Sequence, residues 1–276
     1  MSTAVWQALE AEQRRTGESM SDVIERSLAT ALGLERHSLY QVSTTSALVK
    51  GVFRGAITVA DLITHGDFGI GTFDGLDGEL VLLDGICHHV GAGGAASVAD
   101  RGRTVPFAVV TWFDADTSTA IDGVESLTAL ERAVDAHRPT QNVFVGIRIE
   151  GMIDTLALRA ACPAAPGENL VQATAHQSEF TVDRVEGTMV GFWTPDYART
   201  VNVPGYHFHF LSSDRSIGGH ILDVRAASLA ASLHIESDIH LALPKTAEFL
   251  DADLSGDTSD DLRVAEGSRV KDHDQV

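Results

Sequence analysis

The chain has 276 residues, 44% of them hydrophobic, and a formal net charge of −19. Such a chain can bury one large core or two modest ones, and its negative field opposes an extended polyphosphate, so DNA and RNA are not expected partners. No run reaches the ~18 apolar residues of a membrane span and no signal pattern opens the chain, so no membrane association is expected and the cytoplasm is the expected location.

Residues 1–36 read as a helical extension. Val5, Trp6 and Leu9 share one helical face, and Ser21 can cap a second helix carrying Val23, Ile24, Leu28 and Leu32 before Gly33. The pair has the look of a small DNA-binding or dimerisation arm, and the acidic balance favours packing or dimer contact. From residue 38 onward, β-favouring runs alternate with Gly and Asp turns, with helical patterns near 44–50 and 58–64. "VPFAVVTWF" reads as a buried strand, "SLTALERAVDAH" as a helix capped by Ser126, and "NVFVGIRIEG" and "IDTLALRA" as further strands. Beyond the loop "ACPAAPGENL", the segments "SEFTVDRVEGTMVGFWTP", "GYHFHFLS" and "GGHILDVRAASLAASLHIESDIHLALP" alternate apolar and polar residues as a half-exposed antiparallel sheet does.

The expected fold is α+β: two mixed or antiparallel β-sheet layers with a few helices. The expected units are a mixed α/β subdomain over 37–175, a β subdomain over 176–250 and an acidic tail over 251–276. By composition alone the tail is solvated. Cys87 and Cys162 fit no C-x-x-C spacing, so both read as buried small hydrophobes and no disulfide is expected. With only Lys50, Lys245 and Lys271, there are few candidates for Schiff-base chemistry.

The richest stretch is "GYHFHFLSSDRSIGGHILD". In a strand His207 and His209 project to one side while Tyr206, Phe208 and Phe210 face the other. "SSDRSIGG" has hairpin-loop character, and an antiparallel return brings His220 beside His209. Three neutral imidazoles and one open position suit a catalytic zinc or similar divalent ion. Chance placement of a histidine pair on a polar sheet face is the alternative. The adjacent His88 and His89 of "CHHV" point to opposite faces and read as surface or second-layer residues.

Together, "LYQVSTTSALVKGVF", "HGDFGIGTFDGLDGEL", "FAVVTWF", "GIRIEG", "VGFWTP" and "GYHFHFLSSDRSIGGHILD" resemble the α-acetolactate decarboxylase family, in the same order, over about residues 38–267. The resemblance implies zinc-dependent, non-oxidative decarboxylation of 2-acetolactate, a small anionic 2-hydroxy-3-keto acid, to acetoin by a homodimer. It places the metal ligands at His207, His209 and His220 on the C-terminal sheet, a catalytic arginine at Arg159, functional glutamates at Glu79 and Glu266, and a substrate contact at Thr72. It also implies that the tail folds back over the metal, against the compositional expectation. In such a site the metal chelates the substrate's hydroxyl and keto oxygens and stabilises an enediolate. A cupin-like metal-dependent dioxygenase shares the H-x-H habit, but "FLSSD" after His209 lacks the glutamate that group uses. A non-enzymatic metal-sensing regulator is the third reading.

Overall fold

The computed structural model describes residues 1–17, 19–32 and 37–266. Helices α1 (Thr3–Thr16) and α2 (Met20–Leu32) precede strand β1 (Ser38–Val42), helix α3 (Thr45–Val49), strand β2 (Ile57–Thr58) and helix α4 (Val59–Leu62). There follow β3 (Phe68–Thr72), β4 (Glu79–Leu83), β5 (Ile86–Val90), β6 (Ala96–Val98), β7 (Thr104–Val105), β8 (Phe107–Thr111), β9 (Thr117–Val124) and helix α5 (Leu127–Asp135). The remainder comprises β10 (Phe144–Ala160), α6 (Leu170–Thr174), β11 (Ser178–Thr194), β12 (Gly205–Ser212), β13 (Gly218–Glu236), β14 (Asp238–Ala242), α7 (Ala247–Asp251) and α8 (Ser259–Ala265).

The fold is α+β, as the pattern of elements predicts. A seven-stranded sheet runs β14-β1-β8-β3-β4-β5-β6, and a five-stranded sheet runs β10-β11-β12-β13-β9. The first is mixed because β14 joins β1 in parallel, whereas β1 and β8 pair antiparallel. In the second, β10 pairs with both β11 and β13, so the circuit β10-β11-β12-β13 closes. Each sheet draws strands from both sides of residue 175: β9 and β10 lie in the five-stranded sheet, and β14 returns to the seven-stranded one.

One core lies between the sheets, where Phe68, Ile70, Val81 and Val109 meet Val190, Phe192 and Leu211. A second fills the opposite side of the five-stranded sheet, where Ile147, Leu158, Phe208, Phe210 and Leu233 meet Leu130 and Val134 of α5. Burying a large apolar side chain contributes about 1.5–3 kcal/mol, so these faces fix the register of β12. With Phe208 and Phe210 in the second core, His207, His209 and Leu211 must face the seven-stranded sheet. Gly187 and Gly191 on β11 leave room for those two rings: a Cβ on Gly191 would lie 2.2 Å from the Phe208 ring, and one on Gly187 2.4 Å from that of Phe210.

Several expectations are met locally. Ser126 caps α5 by accepting the Ala129 N–H at 3.1 Å, and α3 and α4 fall within the predicted helical patterns, capped by Thr44 and Thr58. Others are corrected. "NVFVGIRIEG" and "IDTLALRA" are halves of one 17-residue strand, β10, running through Gly151. Ser19, not Ser21, accepts the Asp22 N–H at the start of α2. Gly33 and its neighbours to residue 36 lie outside the described residues, as does the tail beyond Glu266. Up to Glu266 that tail is not a solvated coil: Leu262 and Ala265 of α8 are buried in the core between the sheets. A seven-residue helix with two buried apolar groups leaves little trace in composition, which is set by the acidic residues on its outer side. His88 is buried and His89 half-buried, which fits the second-layer reading and not the surface one; Cys87 is buried as expected, and Cys162 is half-buried.

Candidate metal centre and active site

The turn after β12 returns the chain as β13, and His209 pairs directly opposite His220. His220 in turn lies opposite Arg159 on β10. Three neighbouring strands therefore carry His209, His220 and Arg159 in one row, with His207 two residues along from His209. His207 Nε2 and His220 Nδ1 face each other at 3.1 Å, and the three ring centroids lie 4.9–5.5 Å apart.

The seven-stranded sheet closes this nest from the other side. The Nδ1–H of His209 donates to the Leu80 carbonyl of β4 at 2.9 Å. That bond fixes the tautomer and leaves Nε2 as a lone-pair donor, 3.6 Å from Glu79 Oε2. Glu79 begins β4, and its other oxygen accepts the Ala161 N–H at 3.0 Å. Thr72 lies opposite Glu79 on β3, but its hydroxyl donates to the Gly78 carbonyl at 2.8 Å, tightening the β3–β4 turn.

Glu266 follows directly on α8. Its Oε2 accepts from Arg159 Nη2 at 2.8 Å and stands 3.8 Å from both His207 Nε2 and His220 Nδ1. Arg159 Nη1 donates to the Ala265 carbonyl at the end of the same helix. Glu266 forms part of the wall of two pockets: a cleft of about 470 Å³ that also exposes His207 and His220, and a smaller one of about 50 Å³ bordered by Thr72, Glu79 and Arg159.

Burial sets the protonation states. The pKa of His207 falls well below that of a free imidazole through desolvation, then the neighbouring His209 and Arg159. His220 falls in the same way, with Arg159 as the leading charge, and His209 falls to about 4, desolvation again dominating. All three rings are thus neutral near neutral pH, the form that binds a metal. Glu79 and Glu266 are pushed upward by burial, and Arg159 opposes the rise in both.

The nest suits a divalent cation. Two nitrogens on tetrahedral zinc with bonds of ~2.0 Å stand ~3.3 Å apart, close to the 3.1 Å between His207 and His220. The ligand nitrogens of the three histidines lie within 4.8 Å of one another. Two carboxylates face a single guanidinium, so ionising both leaves negative charge for a cation to balance.

All seven residues singled out from the sequence meet here, from β3, β4, β10, β12, β13 and the end of α8. The Leu80 carbonyl and the Ala161 N–H escaped notice because backbone groups carry no sequence signature. A second cluster, His37, Asp116 and His234, also escaped notice. Its members are scattered along the chain with no motif spacing.

Residues 39–256 match the family described as alpha-acetolactate decarboxylase. This chain belongs to that family. An alpha-acetolactate decarboxylase from Methanosarcina mazei is 42% identical over 229 residues, covering 83% of this chain and 80% of its own length. The relative from Bacillus subtilis is 36% identical over 232 residues, covering 83% of this chain and 91% of its own length. A crystal structure of alpha-acetolactate decarboxylase from B. subtilis superimposes with a TM-score of 0.81 at 35% identity, covering 84% of this chain and all of that one. Membership of the family decides against the cupin-like alternative. It also fits a structure that has, after His209, a hairpin rather than a ligand: Ser212 Oγ donates to Asp214 within the turn.

Proposed function

We propose that this chain decarboxylates 2-acetolactate non-oxidatively to acetoin, with His207, His209 and His220 holding a zinc ion. The observation that carries the reading is the buried convergence of three neutral imidazoles, two carboxylates and one arginine, in a chain belonging to a family of decarboxylases. Bound to the three imidazoles, the ion supplies Lewis-acid polarisation of the substrate's hydroxyl and keto oxygens.

The reaction breaks the bond between the carboxylate and its carbon; carbon dioxide leaves, and the electron pair passes into the adjacent carbonyl as an enediolate. One proton must then reach carbon. Glu79 stands beside His209 and Glu266 beside His207 and His220, and burial raises the pKa of both carboxyls, so both are placed to carry that proton. Arg159 stays charged throughout. It holds Glu266 in place and supplies positive potential, against the chain's net negative charge, where the substrate's anionic group enters. Thr72 lines the smaller pocket beside Glu79, and its hydroxyl oxygen keeps a lone pair for a substrate donor.

The same reading takes the protein as a cytoplasmic homodimer. No described helix is long and apolar enough to cross a membrane. The deciding experiment incubates purified protein with racemic 2-acetolactate without oxygen and measures acetoin and carbon dioxide, before and after chelation and after zinc is restored. Formation of both that stops with the chelator and returns with zinc is the expected result. Zinc-loaded protein that yields no acetoin refutes the proposal.

A further inference from the structure

Glu266 reaches the histidines only because α8 is held in place, and α8 is too short to fix its own position. Its C-terminal end is tied by Arg159, which donates to the Ala265 carbonyl. Its N-terminal end is tied by a second buried polar contact. Thr258 occupies the N-cap position, where a threonine hydroxyl ordinarily accepts a backbone N–H of the first turn, yet it makes no such bond. Its backbone stands at φ −109°, ψ 10°, and its hydroxyl donates inward to Ser46 Oγ at 3.2 Å. Ser46 Oγ donates onward to the Thr200 carbonyl at 3.0 Å.

Asp257 takes over at the helix end that Thr258 leaves, accepting the Ser259 N–H at 2.9 Å. The threonine hydroxyl is therefore free for a tertiary contact. Thr258 and Ser46 are both buried, so each hydroxyl that loses its partner is stranded away from water. Neighbouring bonds brace the same contact: the Thr45 N–H donates to the Val201 carbonyl at 3.0 Å, and Thr45 Oγ1 to that of Arg199 at 3.3 Å. The segment around Thr200 leads into β12, the strand that carries His207 and His209.

We propose that Thr258 and Ser46 form a positioning latch that registers α8, and with it Glu266, against the segment that sets the histidine strand. Neither residue touches the site. The latch acts through Glu266, which borders both pockets, so loosening α8 displaces a carboxylate from between His207, His220 and Arg159. Its effect on turnover rests on the decarboxylase reading; its effect on α8 does not.

The test compares zinc-loaded full-length wild type, Thr258→Val, Thr258→Ser and Ser46→Ala by bound zinc, kcat, KM and hydrogen exchange over residues 259–266. Thr258→Val keeps the methyl packing and loses the donor. It should retain one zinc per chain, lower kcat about tenfold with a smaller change in KM, and speed exchange in α8 about tenfold. Thr258→Ser should restore both, and Ser46→Ala should reproduce the loss. Wild-type exchange in Thr258→Val, or equal impairment of Thr258→Val and Thr258→Ser, overturns the latch. If the wild type makes no acetoin, the proposed function fails and the exchange comparison alone decides the latch.

Discussion

His209 and Arg159 flank His220 in one row of side chains across three strands, and their substitutions should separate two kinds of loss. His209→Ala removes one of three imidazole donors, so bound metal and activity should fall together, read by metal analysis beside the acetoin assay. Arg159→Ala leaves the three rings intact; metal should remain while kcat falls by about 10²–10³, the usual effect of deleting one fixed electrostatic contact in an active site. Arg159→Lys should recover little, because a single ammonium cannot span both Glu266 Oε2 and the Ala265 carbonyl as the guanidinium does. Full activity in either alanine variant would contradict these roles. At this scale the sequence was informative where spacing implied geometry: H-x-H on a strand, a hairpin loop, then histidine. Without the family resemblance it was silent on Arg159, Glu79 and Glu266, since a single arginine or glutamate in a strand or acidic tail has no local mark of its use.

Among the elements, β12 depends on the glycines of β11 opposite it. Gly191→Ala would put a Cβ 2.2 Å from the Phe208 ring and 2.5 Å from the His207 carbonyl, so either the ring or the strand must shift. Overpacking of this kind typically costs about 1–3 kcal/mol. Because the strand that moves carries His207 and His209, zinc affinity should fall as well, measurable by chelator competition alongside thermal unfolding; unchanged affinity and stability would show that β12 tolerates the shift. The alternation of β12 was legible from its residues because two phenylalanines and a tyrosine share one side. The continuity of β10 through Gly151 was not, since a glycine amid strand residues also marks a turn.

For the molecule as a whole, the histidines come from the five-stranded sheet, Glu79 from the seven-stranded sheet and Glu266 from the end of the C-terminal helix, so the histidine nest is assembled between layers. An ion that binds the folded chain and not the unfolded one stabilises it by about 4 kcal/mol at a thousand times its Kd. Chelation should therefore lower Tm, and an unchanged Tm would rule out that linkage. A second buried polar spot lies between the layers. His234 Nε2 stands 3.7 Å from Glu236 Oε1, while the ring's Nδ1–H donates to the Asp114 carbonyl and its face stacks on His37. Burial pushes Glu236 up to about 8; the Thr111 hydroxyl opposes the rise and Asp116 adds to it. The folded state thus holds this proton more tightly than the unfolded chain. The resulting stability is complete below the unfolded value of 4.5 and is lost as pH rises through about 8. Glu236→Gln should flatten that part of the Tm–pH curve, and equal slopes for variant and wild type would exclude Glu236 as the source.

By itself the sequence determined the β-rich α+β plan, the facing of His207 and His209, and the hairpin that pairs His209 with His220, because alternation and turn chemistry act over a few residues. Composition left the acidic tail solvated and only the family resemblance implied its folding back; the tertiary structure decided that it forms α8, that the Leu80 carbonyl selects the His209 tautomer, and that His37, His234 and Glu236 meet. Those outcomes depend on contacts between segments a hundred or more residues apart. No local pattern of residues encodes which distant surface a segment will meet.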